Sequence, residues 1–350
     1  MEYQRLGSSG LKISKIILGC MSYGSSKWQG WILDEDVALP LFKAAYDAGI
    51  TTWDTANIYS NGESERLIRK AIEKYNIPRN RLVILSKVYF PVKDDDASFD
   101  FWANPTDGPE WNNNKGLSRK HILDAVDASV ARLGTYIDVL QIHRFDPDVP
   151  AEEIMEALHD VVKSGKVRYI GASSMFVHQF ATLQFTAEKH GWTKFISMQN
   201  YYNLIYREEE REMIPFCNNT GVGLIPWSPL ARGALARAYG GETLRTGTDF
   251  VYTFLVSKVD AHESEINKEV ITRVEKVAKD KGTSMACVAT AWVLGKNCAP
   301  ILGLNSVKRI EEAVASLKVK LTDDEIKYLE ESYAPKRVLN LVASKLRIGE

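Results

Sequence analysis

Cysteine is scarce in this chain. Cys20, Cys217, Cys287 and Cys298 are the only four in 350 residues, with no C-x-x-C pair and no histidine at zinc-ligand spacing. That excludes a disulfide framework and a sequence-defined zinc or other metal site, and free thiols suit a reducing compartment. No apolar run approaches the roughly 20 residues needed to span a bilayer. The start, Met1 to Gly10, is polar and lacks a signal-peptide core. The expectation is a cytoplasmic chain with no membrane partner. A basic excess is also missing: 44 Lys and Arg stand against 45 Asp and Glu. Nucleic acid is therefore not an expected partner, and any phosphate site must be local. The motifs G-x-G-x-x-G, G-x-x-x-x-G-K-[ST], H-E-x-x-H and G-x-S-x-G are all absent. Their absence weighs against Rossmann, P-loop, zincin and α/β-hydrolase readings. It leaves open a barrel that binds phosphate with the loops after its last strands.

What the chain does contain is an alternation of short apolar runs with amphipathic stretches. Tyr3–Leu6 and Leu11–Ile13 read as a hairpin around Gly7–Gly10. Eight strands are then expected at 16–18, 51–54, 82–86, 137–142, 167–172, 195–199, 223–226 and 300–302, with helical periodicity between them. One of those helices is expected over 207–218. Eight strands alternating with helices predict parallel βα units closed into a (β/α)8 TIM barrel. A minimal barrel needs about 250 residues. The surplus falls in segment 1–15, loops 88–117 and 228–262, and tail 318–350, so one domain over 1–350 is expected, its barrel core at about 16–317. The two loops belong to the C-terminal face, and the hairpin should plug the opposite end.

Chemistry in such barrels collects at the C-terminal strand ends. Asp54, Tyr59, Lys87 and His143 stand there. A free tyrosine is too weakly acidic for easy proton donation at neutral pH. A neighbouring ammonium lowers its pKa, and a carboxylate holds that ammonium charged. A histidine can hydrogen-bond a substrate carbonyl. The set suits protonation of an oxygen while another agent delivers hydrogen to carbon.

These residues sit in blocks that resemble the aldo-keto reductase family. The blocks are Asp54-Thr55-Ala56-Asn57-Ile58-Tyr59 with Gly62-Glu63-Ser64-Glu65, Arg132 to His143, and Gly165 to Gly171. Gly19-Cys20-Met21-Ser22-Tyr23-Gly24 and Ser228-Pro229-Leu230-Ala231-Arg232-Gly233 are most similar to fungal aryl-alcohol-dehydrogenase-like members. The resemblance implies reduction of aldehydes or ketones with NADPH/NADP+, with Asp54, Tyr59, Lys87 and His143 catalytic and Tyr59 the general acid. It implies cofactor contacts from Gly19, Cys20, Met21 and Asp54. Ser173, Ser174 and Gln199 would hold the carboxamide, although Ser174 stands where the family has Asn. Trp227 would stack on the nicotinamide, and Ser228, Leu230 and Arg232 would follow the pyrophosphate. Gly303, Asn305, Arg309 and Glu312 would clamp the adenosine phosphate, with Arg309 at the 2′-phosphate. Ala313 replaces a frequent Asn.

Aromatics suggest an apolar substrate wall: Trp28 and Trp31, Tyr89 and Phe90, and Trp102 or Trp111. Trp28, Tyr59, Tyr89 and His143 are the expected substrate contacts for a small carbonyl or alcohol. A monomer or weak homo-oligomer is expected. The alternative readings are an NADPH-binding regulatory barrel resembling channel β-subunits, and a Schiff-base enzyme using Lys87. Pairing with Asp54 disfavours the second, because a Schiff-base lysine should be neutral.

Overall fold

Tyr3–Arg5 (β1) and Lys12–Ser14 (β2) pair antiparallel, as the turn residues between them predict. They belong to a computed structural model that describes residues 1–101, 103–104, 106–241, 248–249 and 261–339. Trp102, much of loop 228–262 and the end of the tail lie outside the described residues.

Eight strands then pair in parallel: Ile17–Gly19 (β3), Thr52–Asp54 (β4), Val83–Val88 (β5), Ile137–Ile142 (β6), Val167–Ser173 (β7), Phe195–Gln199 (β8), Gly223–Leu224 (β9) and Ile301–Leu302 (β10). The order runs β10-β3-β4-β5-β6-β7-β8-β9. Bridges Leu224–Cys298 and Trp227–Ile301 join its two ends. This is the (β/α)8 fold that the alternation predicted.

Side chains alternate along a strand, so every second residue enters the barrel. Leu85 and Val139, which are register partners, fill its interior with Ile17, Ile225 and Ile301. Two residues further along the same faces stand Lys87 and Gln141, again partners. The apolar filling thus gives way to polar groups at the C-terminal mouth. At the other end, Leu6 and Ile13 of the hairpin join the interior cluster. Ser8 N–H donates to Gly221 O at 2.7 Å. Gly7, at φ 60°, comes so near that a Cβ there would lie 2.3 Å from Gly221 O. The hairpin is the expected plug.

The helices cover the outside. Glu35–Asp47 (α1) buries Leu39 and Phe42, and Phe42 meets Trp53 at 5.0 Å. Glu63–Lys74 (α2) and Arg119–Leu133 (α3) pack together and share a buried ion pair, Arg132 Nε to Glu65 Oε2 at 2.7 Å.

The helix expected over 207–218 is broken. A single tight turn, Glu208–Glu210, precedes a helix over Met213–Thr220. Pro215 fits the late start: it falls in the first turn of this helix, where a residue without an N–H costs least. The described part of the tail, to Leu339, is held against the barrel. Arg207 pairs with Glu210 at 2.7 Å and Glu330 at 3.0 Å, and Leu339 packs on Tyr201 and Tyr206 beneath Trp227. Among the described residues no helix is long and apolar enough to cross a membrane.

Candidate active site

The four strand-end residues meet in space. Lys87 Nζ, fully buried, donates to Asp54 Oδ2 at 2.6 Å, Thr55 O at 2.8 Å and Tyr59 Oη at 3.3 Å. All three ammonium protons are used. Asp54 Oδ1 accepts from Gln141 Nε2 at 3.0 Å and Gln199 Nε2 at 2.9 Å. The carboxylate is therefore held from both sides.

A strained turn delivers Tyr59. Ser60 and Asn61 take φ of 48° and 50°, and Gly62 takes 93°. Only Gly62 does so without steric penalty. Hydrogen bonds hold the two strained residues: Asn61 donates to Phe99 O at 2.7 Å, and Ser60 Oγ accepts from Ser25 N–H at 3.1 Å. The following Ser64 Oγ bonds Cys20 O and Thr55 Oγ1, both at 2.9 Å. The Gly-x-Ser-Glu block thus acts by fixing the fold around Tyr59.

Burial changes the expected electrostatics. It pushes the Tyr59 phenol above its ordinary pKa, and the opposing field of Lys87 does not cancel this. The sequence expectation was a net lowering; the dry site overrides it. Burial also disfavours the Lys87 charge, but Asp54 and Tyr59 more than offset that and leave its pKa above the ordinary value. His143 is held well below its ordinary pKa by burial and by the cations Arg144 and Lys87, so its imidazole is neutral. Its ring lies edge-on to Tyr59 at 5.9 Å. His143 Nδ1 has no partner among the described residues.

These groups open on a cavity of about 1060 Å³. Trp28, Trp31, Ile58, Phe90 and Phe101 form its apolar wall. Trp28 stands 6.4 Å from the Tyr59 ring. Tyr89 lies outside the lining, edge-on behind Phe90 at 5.1 Å. Trp111 also turns away and stacks on Phe99 at 5.2 Å.

The expected cofactor positions line the rest of the cavity. They include Gly19, Met21, Ser173, Gln199, Trp227 and Ser228, then Leu230, Arg232, Gly303, Asn305, Arg309 and Glu312. Cys20 and Ser174 do not. Cys20 is fully buried behind Gly19. Ser174 Oγ accepts from Trp227 Nε1 at 3.0 Å, and the indole stacks on Tyr201 at 4.6 Å. The serine that replaces the family's Asn thus holds the tryptophan.

Two features suit phosphates. Ser228, Ala231, Arg232 and Gly233 all have positive φ. Such turns can aim N–H groups at an anion; here those of Ala231 and Gly233 are donated to Ser228 O at 2.9 Å and Leu230 O at 2.8 Å, which leaves the others of the turn. Arg309 is exposed in the first turn of helix Val307–Ala315, whose N-cap Ser306 accepts from Arg309 N–H at 3.3 Å. The N-terminus of that helix favours anions. Arg232 is less free than expected: Asp249 pairs with it at 2.5 Å. Sequence reading did not single out Gln141, Arg144, Tyr201 or Asp249. The His143-Arg144 dipeptide at a strand end was the one signal available for Arg144.

The sequence pattern of the Aldo/keto reductase family matches residues 15–334. The chain is 60% identical to a versiconal hemiacetal acetate reductase of Aspergillus parasiticus, over 97% of this chain and 98% of the relative. It is 58% identical to a Schizosaccharomyces pombe protein whose name places it among aryl-alcohol dehydrogenases, over 95% and 96%. An aldo-keto reductase of Fusarium vanettenii matches at 49% over 97% and 92%. Likeness of this extent, over a barrel whose mouth gathers Asp54, Tyr59, Lys87 and His143, makes this chain a carbonyl oxidoreductase of the aldo/keto reductase family.

Proposed function

We propose that this enzyme reduces aldehydes and ketones to alcohols with NADPH, and that Tyr59 is the general acid. One observation carries the assignment of Tyr59: its hydroxyl is 3.3 Å from a fully buried ammonium that Asp54 fixes. The bound cofactor supplies a hydride to the carbonyl carbon. The chain does the rest. Tyr59 gives its hydroxyl proton to the carbonyl oxygen, and Lys87 stabilises the phenolate left behind. Neutral His143 hydrogen-bonds the same oxygen and orients it. Asp54 keeps Lys87 charged, and Gln141 and Gln199 keep Asp54 in place. Trp28, Trp31 and Phe90 exclude water.

The choice of NADPH rests on Arg309. It is exposed at a helix N-terminus, lines the cavity and has no ion-pair partner among the described residues. A guanidinium there offers a fork to a 2′-phosphate. The positive-φ turn at 228–233 suits the pyrophosphate, and Trp227, held by Ser174, gives a flat face for the nicotinamide. The apolar wall favours aryl or aliphatic aldehydes over sugars. The relatives' names, an aryl-alcohol dehydrogenase and a hemiacetal acetate reductase, support carbonyl and alcohol chemistry at this site.

The test is loss of reduced-nicotinamide absorbance with a panel of aldehydes, with NADH run alongside. Tyr59→Phe is expected to remove at least about 100-fold of turnover and to leave NADPH binding within about twofold. Unchanged turnover overturns the role of Tyr59. Tight NADPH binding without turnover on any aldehyde would instead make the chain a binding barrel.

A further inference from the structure

Beside the tetrad, the cavity wall holds a half-buried cation that the reduction does not use. Arg144 follows His143 and lines the wall. Its Nη1 donates to His143 O at 2.6 Å, and its guanidinium lies 5.8 Å from the centre of the Phe90 ring. Those contacts leave most of its five N–H donors unused. Four other well-buried arginines of this fold each have a carboxylate partner. Arg79 pairs with Asp138, Arg132 with Glu65, Arg207 with Glu210 and Arg232 with Asp249. No carboxylate pairs with Arg144 among the described residues. Its pKa shows the same thing: burial brings it down to about 10, and only Tyr59 and Tyr89 oppose the fall.

A partly desolvated charge with no carboxylate partner gains from pairing with one. Arg144 faces the cavity, so its partner can come from what enters there. The path from the reacting centre is short. Tyr59 meets His143 at 5.9 Å, His143 meets Phe90 at 5.0 Å, and Arg144 lies just beyond. The edges of this stretch are aromatic and suit a flat spacer. Near Tyr59, Trp28 adds a second donor. Its buried Nε1 has no partner, whereas Trp31, Trp53, Trp227 and Trp292 all donate to a protein oxygen.

We infer that Arg144 is a specificity-determining residue which binds an anionic oxygen group, a carboxylate, on the substrate, so that the preferred substrates are aryl or short-chain aldehydes carrying a carboxylate. This rests on the reductase reading above. It adds a charge requirement that the tetrad alone does not impose. A bidentate guanidinium–carboxylate contact in a dry cavity is among the stronger hydrogen-bonded pairs.

The experiment compares 4-carboxybenzaldehyde with 4-methylbenzaldehyde, which differ in charge and little in shape. With NADPH and the native enzyme, kcat/KM for the carboxylate is expected to exceed that for the methyl compound at least about tenfold. Arg144→Met should bring the ratio close to one, mainly through the KM of the charged aldehyde, and Arg144→Lys should keep part of it. A second readout is calorimetric binding of 4-methylbenzoate, which cannot react, to the NADP+ complex. Arg144→Met should weaken it about tenfold. If the Met variant does not fold, Arg144→Lys decides: it should weaken 4-methylbenzoate and leave the ratio between native and one. A native ratio near one, or a ratio and affinity that neither variant changes, overturns the carboxylate site. If neutral aldehydes are reduced without charge preference, the reductase reading stands and this one falls. If no aldehyde is reduced but Arg144-dependent binding of 4-methylbenzoate is found, the reductase reading falls and the site stands.

Discussion

Gln199 Nε2 lies 2.8 Å from Gln141 Oε1, and the two amides donate to the same oxygen of Asp54. Gln199 sits beside the expected nicotinamide site, whereas Gln141 is wholly buried beneath it. Gln141 therefore acts as a positioning residue for both Asp54 and Gln199. Gln141→Leu takes one donor from buried Asp54 Oδ1 and one acceptor from the Gln199 amide, which it frees. Unfolding in urea should show a loss of about 1–3 kcal/mol. The KM for NADPH should rise as well, because Gln199 loses its orientation. A stability loss with an unchanged KM would show that Gln141 only supports the core.

Lys87 and Asp54 are a buried pair, with 0% and 3% side-chain exposure. Breaking such a pair strands the other charge. Lys87→Met should lower stability by about 3–5 kcal/mol and abolish reduction. The double variant Lys87→Met/Asp54→Leu should regain stability without regaining activity, since no charge is then stranded. A double variant no more stable than the single one would mean that packing, not charge, sets the loss.

The Tyr59 phenol, raised above its ordinary pKa by burial against the opposing field of Lys87, stays protonated through neutral pH. Protonated phenol is the form that donates in reduction, and phenolate is the form that accepts in alcohol oxidation. Reduction, measured as kcat/KM, should therefore show no loss from this group between about pH 6 and 9. Oxidation should climb through the same window. A reduction rate that falls from pH 7 would mean that the phenol ionises far more easily than its burial dictates.

Arg309 is the residue on which the cofactor preference rests. Arg309→Ala should raise the Kd for NADPH about 10- to 100-fold and that for NADH by less than about twofold. Fluorescence titration of both cofactors checks this. Equal losses for both would move the 2′-phosphate contact elsewhere, with Lys308 the nearest cation on the same turn.

The barrel was legible because its strands are apolar runs that end in chemistry. Asp54 and Lys87 close or nearly close their strands, and His143 follows the last residue of its own. What stayed hidden was polar within the runs. Gln141 sits inside an apolar strand, and no local pattern says that its side chain meets Asp54, 87 positions away. The pKa direction of Tyr59 was also hidden, because a neighbouring ammonium can be read from sequence and the depth of burial cannot. The family resemblance put Arg232 at the pyrophosphate, and its pairing with Asp249 depends on a later part of the same loop. Tyr89 and Phe90 follow the same strand, and only the backbone direction decides that Phe90 faces the cavity.

Stability should also depend on pH through groups far from the cavity. His121, 6% exposed in α3, has its pKa lowered to about 4 by burial, against the pull of Asp124. The unfolded chain therefore binds a proton from about pH 6.5 downward that the folded chain refuses until about pH 4. The contribution is complete above pH 6.5 and is lost as pH falls, by about 3 kcal/mol in all. His143 acts in the same direction. Glu209 acts in the opposite one: burial raises its carboxyl to about 7, Asn200 opposing, so its contribution is present in acid and is lost as pH rises from 4.5 towards 7. Between pH 5 and 6.5 the two groups partly cancel, and the native protein should show a shallow slope. His121→Leu should lose less stability between pH 7.5 and 5 than the native protein. Glu209→Gln should lose more, because the histidine slope is then uncovered. Urea unfolding at the two pH values separates these outcomes, and two variants with the native slope would show that neither group is protonated differently in the folded and unfolded chains.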